Sequence, residues 1–67
     1  MKGTVKWFNG QKGYGFIADD ASEKEYFVHF SSINGDGYRT LEEGQAVTFD
    51  VKQGAKGEEA TNVTKIA

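Results

Sequence analysis

The most conspicuous side chains in this sequence are flat aromatic rings at alternate positions. Tyr14 and Phe16 stand two residues apart, and Phe27 and His29 repeat that spacing later in the chain. Successive side chains of a β-strand point to opposite faces, so each pair would share one face of a strand. If the core lies on the other face, the rings form an exposed aromatic patch, which usually marks an interaction site. Aromatic residues at this spacing also commonly fill cores, so the interpretation depends on what else can fill the core.

Aliphatic residues are numerous enough to fill the opposite face. The candidate core residues are Val5, Ile17, Val28, Val47, Val51 and Val63, together with Phe49. Trp7 is an exception, because it has the parity of Val5 and should point inward. Two arrangements are open: a β-bulge in the first strand turns Trp7 outward, or Trp7 is core and Phe8 is exposed.

Catalysis and metal binding find little support in the sequence. The chain has no cysteine and a single histidine, which excludes disulfides, thiolate ligands and multi-histidine metal sites. His29 has no accompanying Ser, Cys or Asp arrangement that would orient it as a general base, and stacking beside Phe27 suits it better. The glycines within residues 12–15 are not followed by the Gly-Lys-Ser/Thr start of a phosphate-binding helix. We therefore expect no enzymatic activity, no cofactor and no metal.

The segments that must position the rings are predicted to be short strands. Nine glycines, no proline and no apolar period of about 3.6 residues argue against helices. Strands are predicted at residues 5–8, 14–17, 26–30, 47–51 and 60–64. Asn9 and Gly10 indicate a hairpin turn after the first strand, and one short helical turn is expected near residues 31–33. Five short strands separated by turn signals predict a small all-β barrel.

Length and charge narrow the functional classes further. The 67 residues make one domain at most, and we expect a single domain over residues 1–67. The net charge of −2 argues against a simple polycation, yet residues 1–18 contain three lysines and no acidic residue. Such asymmetry can mark a nucleic-acid surface. No segment approaches the ~20 apolar residues of a membrane helix, and the first residues lack a secretory signal, so we expect a cytoplasmic protein.

One motif connects the aromatic residues to nucleic acid. Residues 12–17 read Lys-Gly-Tyr-Gly-Phe-Ile, which matches the start of the first ribonucleoprotein signature with isoleucine in place of valine. Tyr14 and Phe16 would project from one face as stacking surfaces, and Lys12 could contact a phosphate. Stacking contributes about 1–3 kcal/mol per base and tolerates any base sequence. The RNA-recognition-motif fold shares this signature, but it needs two helices and an aromatic residue where this chain has Asp19.

Over essentially its whole length the sequence resembles the bacterial cold-shock proteins, of the cold-shock domain family. The motifs at residues 6–9, 12–17, 27–30 and 41–45 follow in the order and spacing of that family. The resemblance implies a five-stranded antiparallel OB-fold barrel that binds single-stranded RNA or DNA on its aromatic face. The base-stacking residues it implies are Trp7, Tyr14, Phe16, Phe27, His29, Phe30 and Tyr38. Lys6, Lys12 and Arg39 would contact the backbone. Asn9 would contact a base edge, and Phe8 of the same motif is included in the site.

The resemblance also implies a cellular role. A protein that binds unpaired bases but not duplexes shifts RNA away from hairpins by mass action. This is the activity of an ATP-independent RNA chaperone, and the family adds a role in transcription and translation at low temperature. We expect a monomer that binds pyrimidine-rich single strands. For Phe30 the resemblance overrides strand parity, which places this residue inward with Val28.

Two departures from the family pattern and one alternative function complete the interpretation. Tyr26 stands where the family usually has an aliphatic residue. Glu58 and Glu59 stand where it often has Pro-Gln, which adds negative charge near the site. The alternative is a small barrel domain that binds proline-rich peptides, because such domains also display aromatic residues. The lysines at positions 6 and 12 argue against it.

Overall fold

The strands form close to where the sequence predicts them. The structure is a computed structural model that describes residues 1–35, 40–54 and 57–66. Its elements in chain order are β1 (Lys2–Asn9), β2 (Tyr14–Asp19), β3 (Glu25–His29), a 3₁₀ helix (Phe30–Ser32), β4 (Ala46–Gly54) and β5 (Gly57–Lys65). The three-residue helix is the predicted helical turn, beginning one residue earlier than expected. In the described part of the chain no helix has the length and apolar character needed to cross a membrane.

The five strands close into a barrel in the order β1-β2-β3-β5-β4, and β4 pairs back with β1. A closed ring with an odd number of strands cannot be antiparallel at every seam. The parallel seam lies between β3 and β5, where Phe27 is opposite Glu59. A parallel bridge between Ile33 and Val63 extends it beyond β3. The predicted five-stranded all-β barrel is confirmed, and this seam is its one departure from a fully antiparallel sheet.

Most of the core residues predicted from the sequence lie inside the barrel. Those that are buried are Val5, Ile17, Val28, Val47, Val63 and the aromatic Phe49. Val51 is only half-buried and packs against the edge of this cluster. Four further buried hydrophobic residues of the described ranges were not predicted as core: Tyr26, Ile33, Leu41 and Ala60. The Tyr26 ring packs against Phe49, with the ring centroids 5.7 Å apart.

A one-residue irregularity in β1 determines where Trp7 points. Val5 pairs with Ile17, but the next pair along the strands is Trp7 with Phe16, so Lys6 is the extra residue of a β-bulge. The extra residue reverses the alternation. Val5 is therefore buried, whereas Trp7 is 40% exposed. Of the two arrangements that the sequence left open, the bulge is the one that forms.

The β1–β2 connection is longer than the predicted Asn-Gly turn. Asn9 pairs with Tyr14, which leaves a loop of four residues, 10–13. The Asn9 side-chain Oδ1 accepts hydrogen bonds from the backbone N–H groups of Gln11 and Lys12, each at 3.0 Å. Gly13 completes the loop with a φ of 77°, a conformation that favours glycine. The hairpin prediction is confirmed, but Asn9 acts as the cap of the loop and not as a turn residue.

Candidate nucleic-acid interface

Four rings meet on the outer surface of β1, β2 and β3. The Trp7 ring centroid lies 5.7 Å from that of Tyr14 and 5.5 Å from that of Phe16. On the other side, Phe27 lies 5.8 Å from Tyr14 and 5.9 Å from Phe16. We call these four side chains the aromatic face. The three phenyl and phenol rings are half-buried, and Trp7 is exposed. Their outward direction, expected from strand parity for β2 and β3, follows from the burial of Ile17 and Val28 on the inner side.

His29 and Phe30 continue this surface toward the 3₁₀ helix. His29 pairs with Tyr14 across β2 and β3 and therefore lies on the same outer side. The Phe30 ring is 46% exposed, and its centroid lies 4.6 Å from that of His29. Strand parity is wrong for Phe30 because this residue begins the 3₁₀ helix, where its backbone N–H donates to the carbonyl oxygen of Gly13 at 2.8 Å. The outward position that the resemblance implied is the one observed.

Two lysines beside the aromatic face are paired with glutamates. The Nζ of Lys6 lies 3.8 Å from the Glu25 carboxylate, and both side chains are about half exposed. Lys24 was not predicted as a site residue, and its Nζ lies 3.2 Å from Oε1 of Glu58. The hydrogen bond and the negative charge of Glu58 raise the pKa of Lys24 above its ordinary value. Exposed pairs of this kind contribute little to stability, so either lysine can exchange its glutamate for another anion.

An open groove extends the aromatic face toward the seam between β3 and β5. Its volume is about 340 Å³, and its lining consists of Phe16, Lys24, Glu25, Tyr26, Phe27 and Glu58. The groove therefore has aromatic walls and charged groups of both signs at its rim. This groove has no direct signal in the sequence, because Glu58 is 34 positions from Lys24 and reaches it only through closure of the barrel.

The remaining predicted site residues occupy different environments. Lys12 is exposed in the loop. Phe8 is half-buried and packs against the core, on the side away from Trp7. Asn9 has its side-chain oxygen engaged by the loop, so its amide N–H₂ is the group that could contact a base. Tyr38 and Arg39 lie outside the described residues. Within the described ranges, no cluster of three His, Cys, Asp or Glu side chains could hold a metal ion.

A ladder of outward aromatic rings on a five-stranded barrel is the surface that the sequence motifs predicted. A sequence model described as the 'Cold-shock' DNA-binding domain matches residues 1–66. The chain belongs to the cold-shock domain family. Members of this family bind nucleic acid, so the aromatic face described above belongs to a nucleic-acid-binding domain.

Bacterial relatives match the cold-shock domain over nearly its full length. Cold shock protein ScoF of Streptomyces coelicolor is 61% identical over 62 residues, which are 92% of each chain. Cold shock protein CspA of Staphylococcus aureus is 58% identical over 65 residues, 97% of each chain. Cold shock-like protein CspB of Bacillus cereus is 56% identical over 66 residues, which cover 98% of this chain and 100% of the relative.

A solved structure shows the same fold at much lower sequence identity. The Drosophila structure titled Unr CSD456 matches with a TM-score of 0.79 and 21% identity. The match covers 98% of this chain and 26% of the longer Drosophila chain. At this identity the likeness shows the fold alone, and the OB-fold expected for a cold-shock domain is confirmed.

Proposed function

We propose that residues 1–67 form one cold-shock domain that binds single-stranded RNA and DNA by stacking bases on the aromatic face. The observation that carries the proposal is the division of the side chains. Aliphatic residues, Phe49 and Tyr26 fill the core, so the filling of the core does not explain four adjacent outward rings. The proposed binding residues are those predicted from the sequence, with Tyr38 and Arg39 included on the resemblance alone.

Stacking makes the larger contribution in this proposal, and charge the smaller one. The net charge is −2, and two of the lysines beside the rings already have glutamate partners. Lys6, Lys12 and Arg39 would provide phosphate contacts, with Lys6 leaving Glu25 as it does so. A barrel of this kind covers about 4–16 nucleotides.

The proposed activity in the cell is that of an ATP-independent RNA chaperone. A ligand that binds only the unpaired state shifts the hairpin equilibrium toward that state, and no enzymatic step is required. We propose that the protein acts as a cytoplasmic monomer on pyrimidine-rich strands. Its role in transcription and translation would matter most at low temperature, where RNA hairpins are most stable.

The experiment that tests binding is a fluorescence titration of Trp7, the single tryptophan of the chain. The ligands are a short pyrimidine single strand, the matching duplex and a proline-rich peptide. We expect the single strand alone to quench the fluorescence, because Trp7 is 40% exposed and its ring borders Phe16. Equal quenching by the duplex would contradict single-strand selectivity. Quenching by the peptide alone would establish the alternative function.

The chaperone activity is tested with an RNA hairpin that carries a fluorophore and a quencher at its ends. We expect the protein to increase the open fraction without ATP, and the Phe16→Ala variant to do so only at higher concentration. A hairpin that stays closed at protein concentrations that saturate a linear strand would refute chaperone activity while leaving binding intact.

A further inference from the structure

The contacts of His29 with the first turn of the 3₁₀ helix indicate which of its two ring nitrogens carries the hydrogen. It is the N-cap residue of that helix, and its Nδ1 lies 3.3 Å from the backbone nitrogen of Ser31. The same Nδ1 lies 2.9 Å from the Ser31 side-chain Oγ. A backbone N–H can only donate, so Nδ1 must present its lone pair to Ser31. The Ser31 hydroxyl, which can donate or accept, then donates to Nδ1 as well.

Whether Nδ1 carries a hydrogen determines whether Nε2 carries one. In a neutral imidazole one nitrogen is a donor and the other an acceptor, so the hydrogen of His29 resides on Nε2. Within the described part of the chain, Nε2 has no hydrogen-bond partner, and the contacts of the ring are with Ser31 and Phe30. His29 therefore offers one unused donor on the same outer side as Tyr14.

We propose that Ser31 fixes His29 as the Nε2–H tautomer and that this N–H donates to an acceptor atom on the edge of a bound base. The inference rests on the proposed function, since it concerns how a base is recognised at that site. Ser31 is a positioning residue, and His29 makes the contact. The acceptor is a base carbonyl oxygen or an unprotonated ring nitrogen. Both pyrimidines carry such an oxygen at O2, so one donor can serve either.

A base edge is the better partner for this donor than a phosphate. In the proposed Nε2–H tautomer the donor carries no charge, whereas a phosphate gains most from charged donors. His29 is also the strand partner of Tyr14, and its ring centroid lies 4.6 Å from that of Phe30. A base stacked on either neighbour would therefore bring its edge close to the in-plane N–H of His29. Phosphate oxygens share the acceptor chemistry, so the test must separate the two.

The tautomer is measured first, on the free protein, by long-range proton–nitrogen NMR at about pH 8.5, above the range in which histidines usually titrate. His29 is the single histidine, so its two ring nitrogens are unambiguous. We expect Nδ1 to be unprotonated and Nε2 to carry the hydrogen. A proton on Nδ1 would overturn the proposal. This measurement does not depend on nucleic acid, so its result stands even if the Trp7 titration shows no binding.

The role of Ser31 is tested with a matched set of variants. Ser31→Ala removes the hydroxyl at 2.9 Å and keeps the longer backbone N–H contact at 3.3 Å. The tautomer ratio should therefore shift only partway toward Nδ1–H, and binding of a pyrimidine strand should weaken by at most about three- to tenfold, the equivalent of one net hydrogen bond. Ser31→Thr should restore both, because it retains the hydroxyl. Ser32→Ala, in the same 3₁₀ helix, is the control. If Ser31→Ala behaves like Ser32→Ala in both measurements, the positioning role is refuted.

The partner of Nε2 is identified with His29→Phe, which keeps a flat ring and removes the donor. On an intact strand we expect about a three- to tenfold loss of affinity. The titration is repeated with strands that carry one abasic sugar at each position in turn. On one of these strands, the one that lacks the base that His29 contacts, His29→Phe and the unsubstituted protein should bind with equal affinity. A loss that persists on every abasic strand would assign the contact to the backbone, and no loss at all would exclude the contact.

Discussion

Phe27 and Val28 are neighbours in β3 whose side chains lie on opposite faces. This pair gives the sharpest test of the proposal that the outer side chains bind bases and the inner ones form the core. Phe27→Ala removes ring contacts with Tyr14 and Phe16. Each such contact contributes about 0.5–1.5 kcal/mol, so we expect a loss of about 1–3 kcal/mol in the free energy of unfolding. Val28 is completely buried. Val28→Ala should cost about 2–3 kcal/mol through lost burial and the cavity it leaves.

The two variants are thus similar in stability and should differ in binding. A domain of this size has a free energy of unfolding of about 3–10 kcal/mol, so both variants keep a substantial folded population. Phe27→Ala loses a stacking surface worth about 1–3 kcal/mol, which corresponds to about a five- to 150-fold weaker affinity. Val28→Ala loses no surface that a base could reach, so its folded fraction should bind like the unsubstituted protein.

The assay combines urea unfolding, followed by circular dichroism, with anisotropy of a labelled pyrimidine strand. Affinities are corrected for the folded fraction at the temperature of the titration. An affinity for Phe27→Ala within about twofold of the unsubstituted protein would refute stacking at this position. An equal loss in Val28→Ala after correction would show that binding follows stability and not the direction of the side chain.

The other predictions concern packing, charge and pH. Gly15→Ala should destabilise the barrel by about 1–3 kcal/mol or more, because a Cβ there would lie 2.2 Å from a carbonyl oxygen of β1 and 2.7 Å from a backbone carbon. An unchanged urea midpoint would contradict this. Glu58→Gln should leave stability nearly unchanged and strengthen binding at low salt, because it frees Lys24 and removes a negative charge from the groove. The gain should fade at high salt, and a gain independent of salt would argue against a charge effect. With about three phosphate contacts the log–log salt slope should be near −2, and a slope steeper than about −5 would contradict stacking-dominated binding. Hydrogen bonds from Ser22 and a neighbouring backbone N–H hold the pKa of Asp19 below its ordinary value of 3.8. The resulting stabilisation of the folded protein is present above pH 3.8 and is lost as the pH falls through the lowered pKa. Acid titrations should therefore show a smaller loss of stability in Asp19→Asn than in the unsubstituted protein.

Strand parity predicted most of the core and the direction of the rings in β2 and β3. It succeeds because alternation is a local property of a strand, and the burial of Ile17 and Val28 follows from it directly. It could not choose between the two orientations of Trp7, since one extra residue in a strand reverses every side chain beyond it. The resemblance gave the outward orientation, and the register between β1 and β2 provides its structural reason.

The features that the sequence did not predict depend on contacts between distant parts of the chain. Ile33 and Leu41 are buried although they lie outside the main strands, where no alternation marks them. Phe30 leaves the alternation because a helical turn begins at that residue. The pair of Lys24 and Glu58 forms across the parallel seam, and its existence requires knowing which strand closes the barrel.

Because β3 pairs with β5, the last strand of the chain, the barrel cannot close until β5 has been synthesised. The ribosome synthesises β1, β2 and β3 first, so the sheet that carries the aromatic face emerges with the inner side chains Val5 and Val28 uncovered. Their cover comes from β4 and β5, and it is complete only at the end of β5, about 35 residues after the end of β3. At about 5–20 residues per second, that delay lasts roughly 2–7 seconds. A sheet of β1, β2 and β3 that formed in this interval would present rings on one side and bare aliphatic residues on the other. Val47 and Phe49 of β4 cover part of this apolar surface, and Ala60 and Val63 of β5 complete the cover, which removes the surface that could aggregate.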